Sequence, residues 1–154
     1  MGVEIERKFL LRGDAWRDLG EAVLLRQGYL SSHKDRVVRV RIEGDHAVMT
    51  IKGRNIGATR GEWEYPIPLG DAAELLDCLC EQPLIEKYRR RIPLGKHVWE
   101  VDEFLGANAG LVVAEIELTS EDEAFDKPEW IGEEVTDDLR YLNSSLIKHP
   151  YSAW

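Results

Sequence analysis

A chain of 154 residues with 44% hydrophobic and 32% charged side chains has the balance of one globular domain. Its formal charge of −9 excludes the basic footprint of a general nucleic-acid binder. No apolar run approaches the roughly 20 residues that span a bilayer and no apolar leader opens the chain, so a cytoplasmic protein without membrane or nucleic-acid partners is expected.

In chain order, Val3 to Leu11 (VEIERKFLL) reads as a strand with Glu4, Glu6 and Lys8 on one face and Ile5, Arg7 and Phe9 on the other. Two carboxylates and an ammonium at about 6–7 Å spacing make a poor core but a good half-site for a metal ion and an anion. Ala15 to Leu19 is a short amphipathic segment behind Asp14, followed by a second strand from Ala22 to Leu30 with Gln27 and Tyr29 in one phase. Arg36 to Glu43 sets Arg39 and Arg41 opposite Val38, Val40 and Ile42; Gly44-Asp45 turns the chain into a partner strand carrying Val48, Thr50 and Lys52 on one face. After the loop Gly53 to Ala58, Thr59 to Pro68 alternates Arg60, Glu62 and Glu64 with Gly61, Trp63 and Tyr65.

Gly70-Asp71 is expected to cap a helix from Ala72 to Cys80. Leu84 to Ile92 is a strand with Lys87, Arg89 and Arg91 in phase, His97 to Phe104 one with Glu100 and Asp102, and Leu111 to Leu118 one with Glu115 and Glu117. Trp130 to Val135 is a short strand or loop, and Asp137 to Lys148 a helix with Leu139, Leu142 and Leu146 inward. The sum is eight strands, mostly in hairpins, and about three helices. Cys78 and Cys80 are expected as free, partly buried thiols. His33, His46, His97 and His149 are expected as lone exposed side chains, and Glu121-Asp122-Glu123 as a solvated turn or helix start.

Taken singly, each strand fits an antiparallel sheet with one wet face. Taken together they do not, because the polar faces hold almost only carboxylates, Arg and Lys, with like charges repeating at i and i+2. Such a face is relieved by ligands of both signs: hard divalent cations for the acids and phosphate for the bases.

In that light Glu4-Ile5-Glu6-Arg7-Lys8 resembles the ExExK signature of the CYTH superfamily, the triphosphate tunnel metalloenzymes. Arg39-Val40-Arg41, Thr50-Ile51-Lys52, Arg60 to Glu64, Glu86 to Arg89, Glu100-Val101-Asp102 and Glu115-Ile116-Glu117 follow in the matching order, and Tyr141 to Leu146 resembles a recurrent ending. The resemblance implies an α+β fold: an eight-stranded antiparallel β-barrel forming a tunnel with a charged lumen, helices packed outside, and Trp63, Tyr65, Ile51 and Ile116 against those helices. It implies a metal-dependent triphosphatase of the small bacterial type acting on inorganic tripolyphosphate. Thiamine triphosphatase, adenylate cyclase and a non-catalytic polyphosphate or nucleotide sensor stand as alternatives.

The same resemblance implies roles. Glu4 and Glu6 would hold one Mg²⁺ or Mn²⁺ and Glu115, Glu117 and Asp102 another; Lys8, Arg39, Arg41, Lys52, Lys87 and Arg89 would grip the phosphates. Glu4, Glu6, Lys8, Lys52 and Lys87 form the catalytic group, and Tyr29, Arg60, Glu62, Glu64 and Glu100 support the lumen. A small-molecule triphosphate is the expected partner, and a homodimer is left open.

Overall fold

The computed structural model describes residues 2–154. Eight antiparallel strands close into a barrel: β1 (Gly2–Leu11), β2 (Val23–Ser31), β3 (Arg36–Glu43), β4 (His46–Gly53), β5 (Thr59–Pro66), β6 (Glu81–Leu94), β7 (His97–Phe104) and β8 (Val112–Glu117). Going round the wall the order is β5-β4-β3-β2-β6-β7-β8-β1, and β1 returns to β5. Closure works because β1 serves two neighbours in succession. Gly2 to Ile5 pair with β5, and Glu6 to Leu10 pair with β8. Among the described residues each of the eight barrel strands is thus paired on both sides. A ninth strand, β9 (Ile131–Glu134), pairs with the end of β1 beyond β5, so the expected eight strands are the barrel and β9 is an addition to it.

Three apolar clusters support the wall. On one outer side Phe9, Trp16, Trp99, Ile116 and Trp130 pack together, with Phe9 and Trp99 edge to face at 5.5 Å between centroids. The cover here is the chain from Thr119 to Trp130, which reads as polar in sequence but delivers Phe125 and Trp130. Glu121 and Asp122 form the expected exposed turn, with Glu121 accepting from Ala58 N at 2.9 Å, whereas Glu123 is half-buried, accepting from Thr119 N at 2.6 Å and pairing with His97. His97 is therefore a half-buried, partnered histidine, contrary to the expectation of a lone exposed one.

On another side α1 (Leu69–Cys78) lies over β2, β3 and β4, burying Ala72 and Leu76, with Cys80 just past its end, against Val40 and Ala47. The helix starts directly after Pro68, which corrects the expected start at Ala72. Gly70 and Asp71 fall inside its first turn, where the carboxylate meets the positive end of the helix. Met49 faces α1, whereas Ile51 and Trp63 are half-buried and Tyr65 is exposed. Of the four residues expected under helices, Ile116 alone is buried, and it lies in the aromatic cluster instead.

The third cluster corrects the idea of a lumen that is polar throughout. Tyr29, Val37, Ile85, Phe104 and Val113 fill one end of the barrel and meet Tyr141, Leu146 and Ile147. The expected single helix from Asp137 to Lys148 is absent. A 3-10 turn (Leu139–Tyr141) and the four-residue α2 (Asn143–Leu146) are separated by Leu142, whose ψ of 134° is extended. Leu139 stays exposed and Leu146 is fully buried. The break lets the segment turn into the barrel mouth and plug it, so this helix lies in the barrel end rather than outside the wall. No helix among the described residues is long and apolar enough to cross a membrane.

Candidate active site

Strand phase carries the site. Glu4, Glu6 and Lys8 point inward from β1 because Phe9 and its alternates pack outward. Register then places Arg60 opposite Glu4, Glu117 opposite Glu6 and Glu115 opposite Lys8. On β7, Glu100 lies opposite Glu115; on β6, Arg89 lies opposite Asp102 and Arg91 opposite Glu100. From β3 and β4, Arg39 faces Thr50, and β5 sets Glu64 opposite Thr50 and Glu62 opposite Lys52. These groups surround a cavity of about 260 Å³ that reaches Tyr29, Leu142, Asn143 and Ser144 at its plugged end. All the residues singled out in sequence line it except Asp102, which lies behind the cavity wall and is 1% exposed.

The charges are sorted by sign. At one pole Lys87, Arg89, Arg41 and Arg39 gather. Arg89 holds Asp102 in a two-point bond, Nε to Oδ1 at 2.7 Å and Nη2 to Oδ2 at 2.8 Å, and Lys87 Nζ reaches Asp102 Oδ2 at 2.7 Å. Both Asp102 oxygens are thus engaged. Burial works against the Asp102 charge, but Arg89 and Lys87 outweigh it and hold its pKa well below the usual range. Arg89 Nη1 also reaches Glu100 Oε2 at 3.2 Å and Arg39 stands 3.9 Å from Glu64, yet three carboxylates still face four cations. Burial, with Arg89 and Arg41 nearby, lowers Lys87 to about 7 despite Asp102. Burial with Arg39 and Arg89 lowers Arg41 to about 9. Arg39 donates to Thr50 Oγ1 at 3.1 Å, and its Nε is buried without a hydrogen-bond partner. This pole is short of anions.

At the other pole Glu4, Glu6 and Glu117 crowd together. Burial and then Glu4 raise the pKa of Glu6; burial and then Glu4, Glu6 and Glu100 raise that of Glu117. Lys52 Nζ stands 2.8 Å from Glu4 Oε2 and 3.6 Å from Glu62, yet no contact to that buried Glu4 oxygen has hydrogen-bond geometry. Lys8 lies between the poles, 3.6 Å from Glu115. Burial opposes its charge, but Glu115, Glu6 and Glu4 prevail and raise its pKa. Among the described residues no three acid, imidazole or thiolate groups stand ready-made around an ion position. The donor chemistry nevertheless fits a hard divalent cation: a cluster of carboxylate oxygens, mutually repelling, with one oxygen orphaned.

Sequence phase also carried Arg91, which lines the cavity and pairs with Glu43 at 2.9 and 3.0 Å. Asn143 and Ser144 carried no such signal, because they sit in a segment that reads as an ordinary helix. Gln27 is fully buried in the lumen and accepts from Arg41 Nε at 2.8 Å.

The sequence profile of the CYTH domain matches residues 2–151. An inorganic triphosphatase of Acetivibrio thermocellus is 55% identical over 98% of this chain and 97% of its own length. An inorganic triphosphatase of Nitrosomonas europaea is 40% identical over 93% and 95%. Among solved structures, the crystal structure of an inorganic triphosphatase superposes with a TM-score of 0.65 at 38% identity, covering 93% of this chain and 96% of the other. A Pyrococcus furiosus protein with a TM-score of 0.60 and 19% identity, over 77% and 80%, shares the fold. With a closed barrel, a sign-sorted lumen and matches that run almost end to end, the chain belongs to the CYTH domain family.

Proposed function

We propose that this chain hydrolyses inorganic tripolyphosphate in its barrel with the help of a divalent cation. The observation that carries the reading is one barrel cavity in which the buried cations Arg39, Arg41, Lys87 and Arg89 gather at one pole and the carboxylates Glu4, Glu6 and Glu117 crowd at the other. The relatives named as inorganic triphosphatases support it.

In this reading Arg39, Arg41, Lys87 and Arg89 hold the phosphate chain through charge-assisted bonds, and Lys8 and Lys52 hold the end nearest the carboxylates. An arriving polyanion restores the proton affinity that burial, and then the neighbouring cations, remove from Lys87 and Arg41. Asp102 fixes Arg89 and Lys87 rather than serving as a metal ligand, since both of its oxygens are taken. Glu4, Glu6 and Glu117 would hold Mg²⁺ or Mn²⁺, with Glu100 and Glu115 beside them. When bound, the cation supplies positive charge against phosphate oxygens and makes water more acidic. Phosphoryl transfer asks for positioning and field more than covalent chemistry, and the lumen offers both.

Phosphate release from tripolyphosphate with Mg²⁺ or Mn²⁺ tests the reading, with EDTA expected to abolish it. Glu4→Ala and Glu6→Ala should each lower kcat by about 10²-fold or more while metal-free binding of tripolyphosphate persists. Protein that releases no phosphate from tripolyphosphate but converts ATP to cyclic AMP would sink it.

A further inference from the structure

Every polar group of the lumen but a few comes from a strand. Asn143 comes from the C-terminal plug, and its bonds are unusual. Its Oδ1 accepts from Lys87 Nζ at 2.8 Å and from Gln27 Nε2 at 3.1 Å. Two donors converging on one atom fix which end of the amide is the oxygen. Gln27 is fixed in the same way: its Oε1 accepts from Arg41 Nε at 2.8 Å, so its NH₂ must face Asn143 and the Tyr29 hydroxyl, at 3.1 and 3.3 Å. Hydrogen bonds therefore run from Arg41 to Gln27 to Asn143, and from Lys87 to Asn143. Two cations on β3 and β6 are tied together through a side chain that neither strand supplies.

Lys87 has one other strong partner, Asp102, in the wall at 2.7 Å. Without the Asn143 oxygen its ammonium has only that carboxylate to follow, away from the cavity. The remaining end of Asn143, Nδ2, donates to no acceptor among the described residues, and the residue lines the cavity between Leu142 and Ser144.

We propose that Asn143 belongs to the phosphate site: its oxygen positions Lys87 and, through Gln27, Arg41, while its Nδ2 donates to a phosphate oxygen. The plug is then part of the site and not a stopper. The proposal rests on the phosphate-binding reading above.

The test compares the full chain with Asn143→Asp, Asn143→Leu and Leu139→Ala, reading phosphate release from tripolyphosphate with Mg²⁺ and calorimetric binding of tripolyphosphate without metal. Asn143→Asp keeps the acceptor for Lys87 and Gln27 but replaces the donor with a charged oxygen. It should raise KM and the metal-free Kd by about 10-fold or more and leave kcat within about 3-fold. Asn143→Leu loses both ends, so kcat should also fall by about 10- to 100-fold. Leu139→Ala, exposed on the same segment, should change neither. An unaltered KM and Kd in Asn143→Asp overturns the proposal, as does a wild-type kcat in Asn143→Leu, or losses in both variants that merely follow their melting temperatures. Should Asn143→Leu fail to fold, the smaller Asn143→Ser is judged by the same kcat criterion. Unmutated protein that binds no tripolyphosphate overturns the functional reading itself; binding that the variants share unchanged overturns only the role of Asn143.

Discussion

Glu6 and Glu117 face each other across neighbouring strands in the register of β1 and β8, a pairing that like charges make unfavourable. Burial and Glu4 raise the Glu6 pKa above its ordinary 4.5. An acid whose folded-state pKa is raised binds more protons folded than unfolded, so stability falls as pH rises through that window and stays lower above it. Below the ordinary value both states are protonated and the effect vanishes. Glu6→Gln should therefore melt higher than the natural protein at pH 8 without metal, and no higher at acid pH. Mg²⁺ should raise the melting temperature of the natural protein at pH 8 and raise the variant's less. For scale, each 1 kcal/mol moves the Tm of a domain this size by roughly 2–4 °C. Scanning calorimetry at the two pH values checks this, and a metal-free Glu6→Gln that melts lower at pH 8 would refute it.

Among the elements, the contact between α1 and β2 depends on the missing side chain of Gly28. A Cβ there would stand 2.6 Å from Leu84 Cδ2 on β6, 2.9 Å from Cys80 Cβ just past α1 and 3.1 Å from Leu76 Cδ2 of α1, too close unless these neighbours shift. Gly28→Ala should cost about 1–3 kcal/mol by overpacking, read as a lower urea midpoint. This contact was invisible in sequence, where Gly28 simply interrupts an alternating strand. Strands were legible when alternation was strong and the ends were marked: Arg36–Glu43 and His97–Phe104 match their expected bounds. β6 runs past both of its expected ends, through Pro83 and to Leu94, because barrel pairing on both sides outlasts the local pattern. The C-terminal segment misled for a definite reason. Leu139, Leu142 and Leu146 have helical spacing, but the barrel mouth, far away in sequence, offers more burial to a broken chain than a straight helix would obtain. Lumenal residues on strands were legible by phase; Asn143 was not, because its place depends on that break.

At the scale of the whole molecule, the barrel has two unlike ends. One is plugged by Tyr141, Leu146 and Ile147 on Tyr29, Ile85 and Phe104. Strand direction puts Glu43, Glu64, Glu100 and Glu117 toward the other, with Arg91 among them. That open rim is charged and, among the described residues, carries no Phe, Tyr or Trp on the lumen face to stack a base. A nucleoside triphosphate would have to leave its base at this rim, because the plug blocks the far end. Its α-phosphate is also esterified, so it has one ionised oxygen fewer than a tripolyphosphate end. Losing one charge-assisted bond to a buried cation is worth about 1.5–3 kcal/mol, or roughly 10- to 100-fold, and the rim offers the nucleoside little to offset that. Tripolyphosphate should accordingly exceed ATP in kcat/KM by at least about 10-fold, measured with the same metal and pH. Equal values, or a higher one for ATP, would mean that the acidic rim binds a nucleoside after all and that selectivity does not reside in the phosphate contacts.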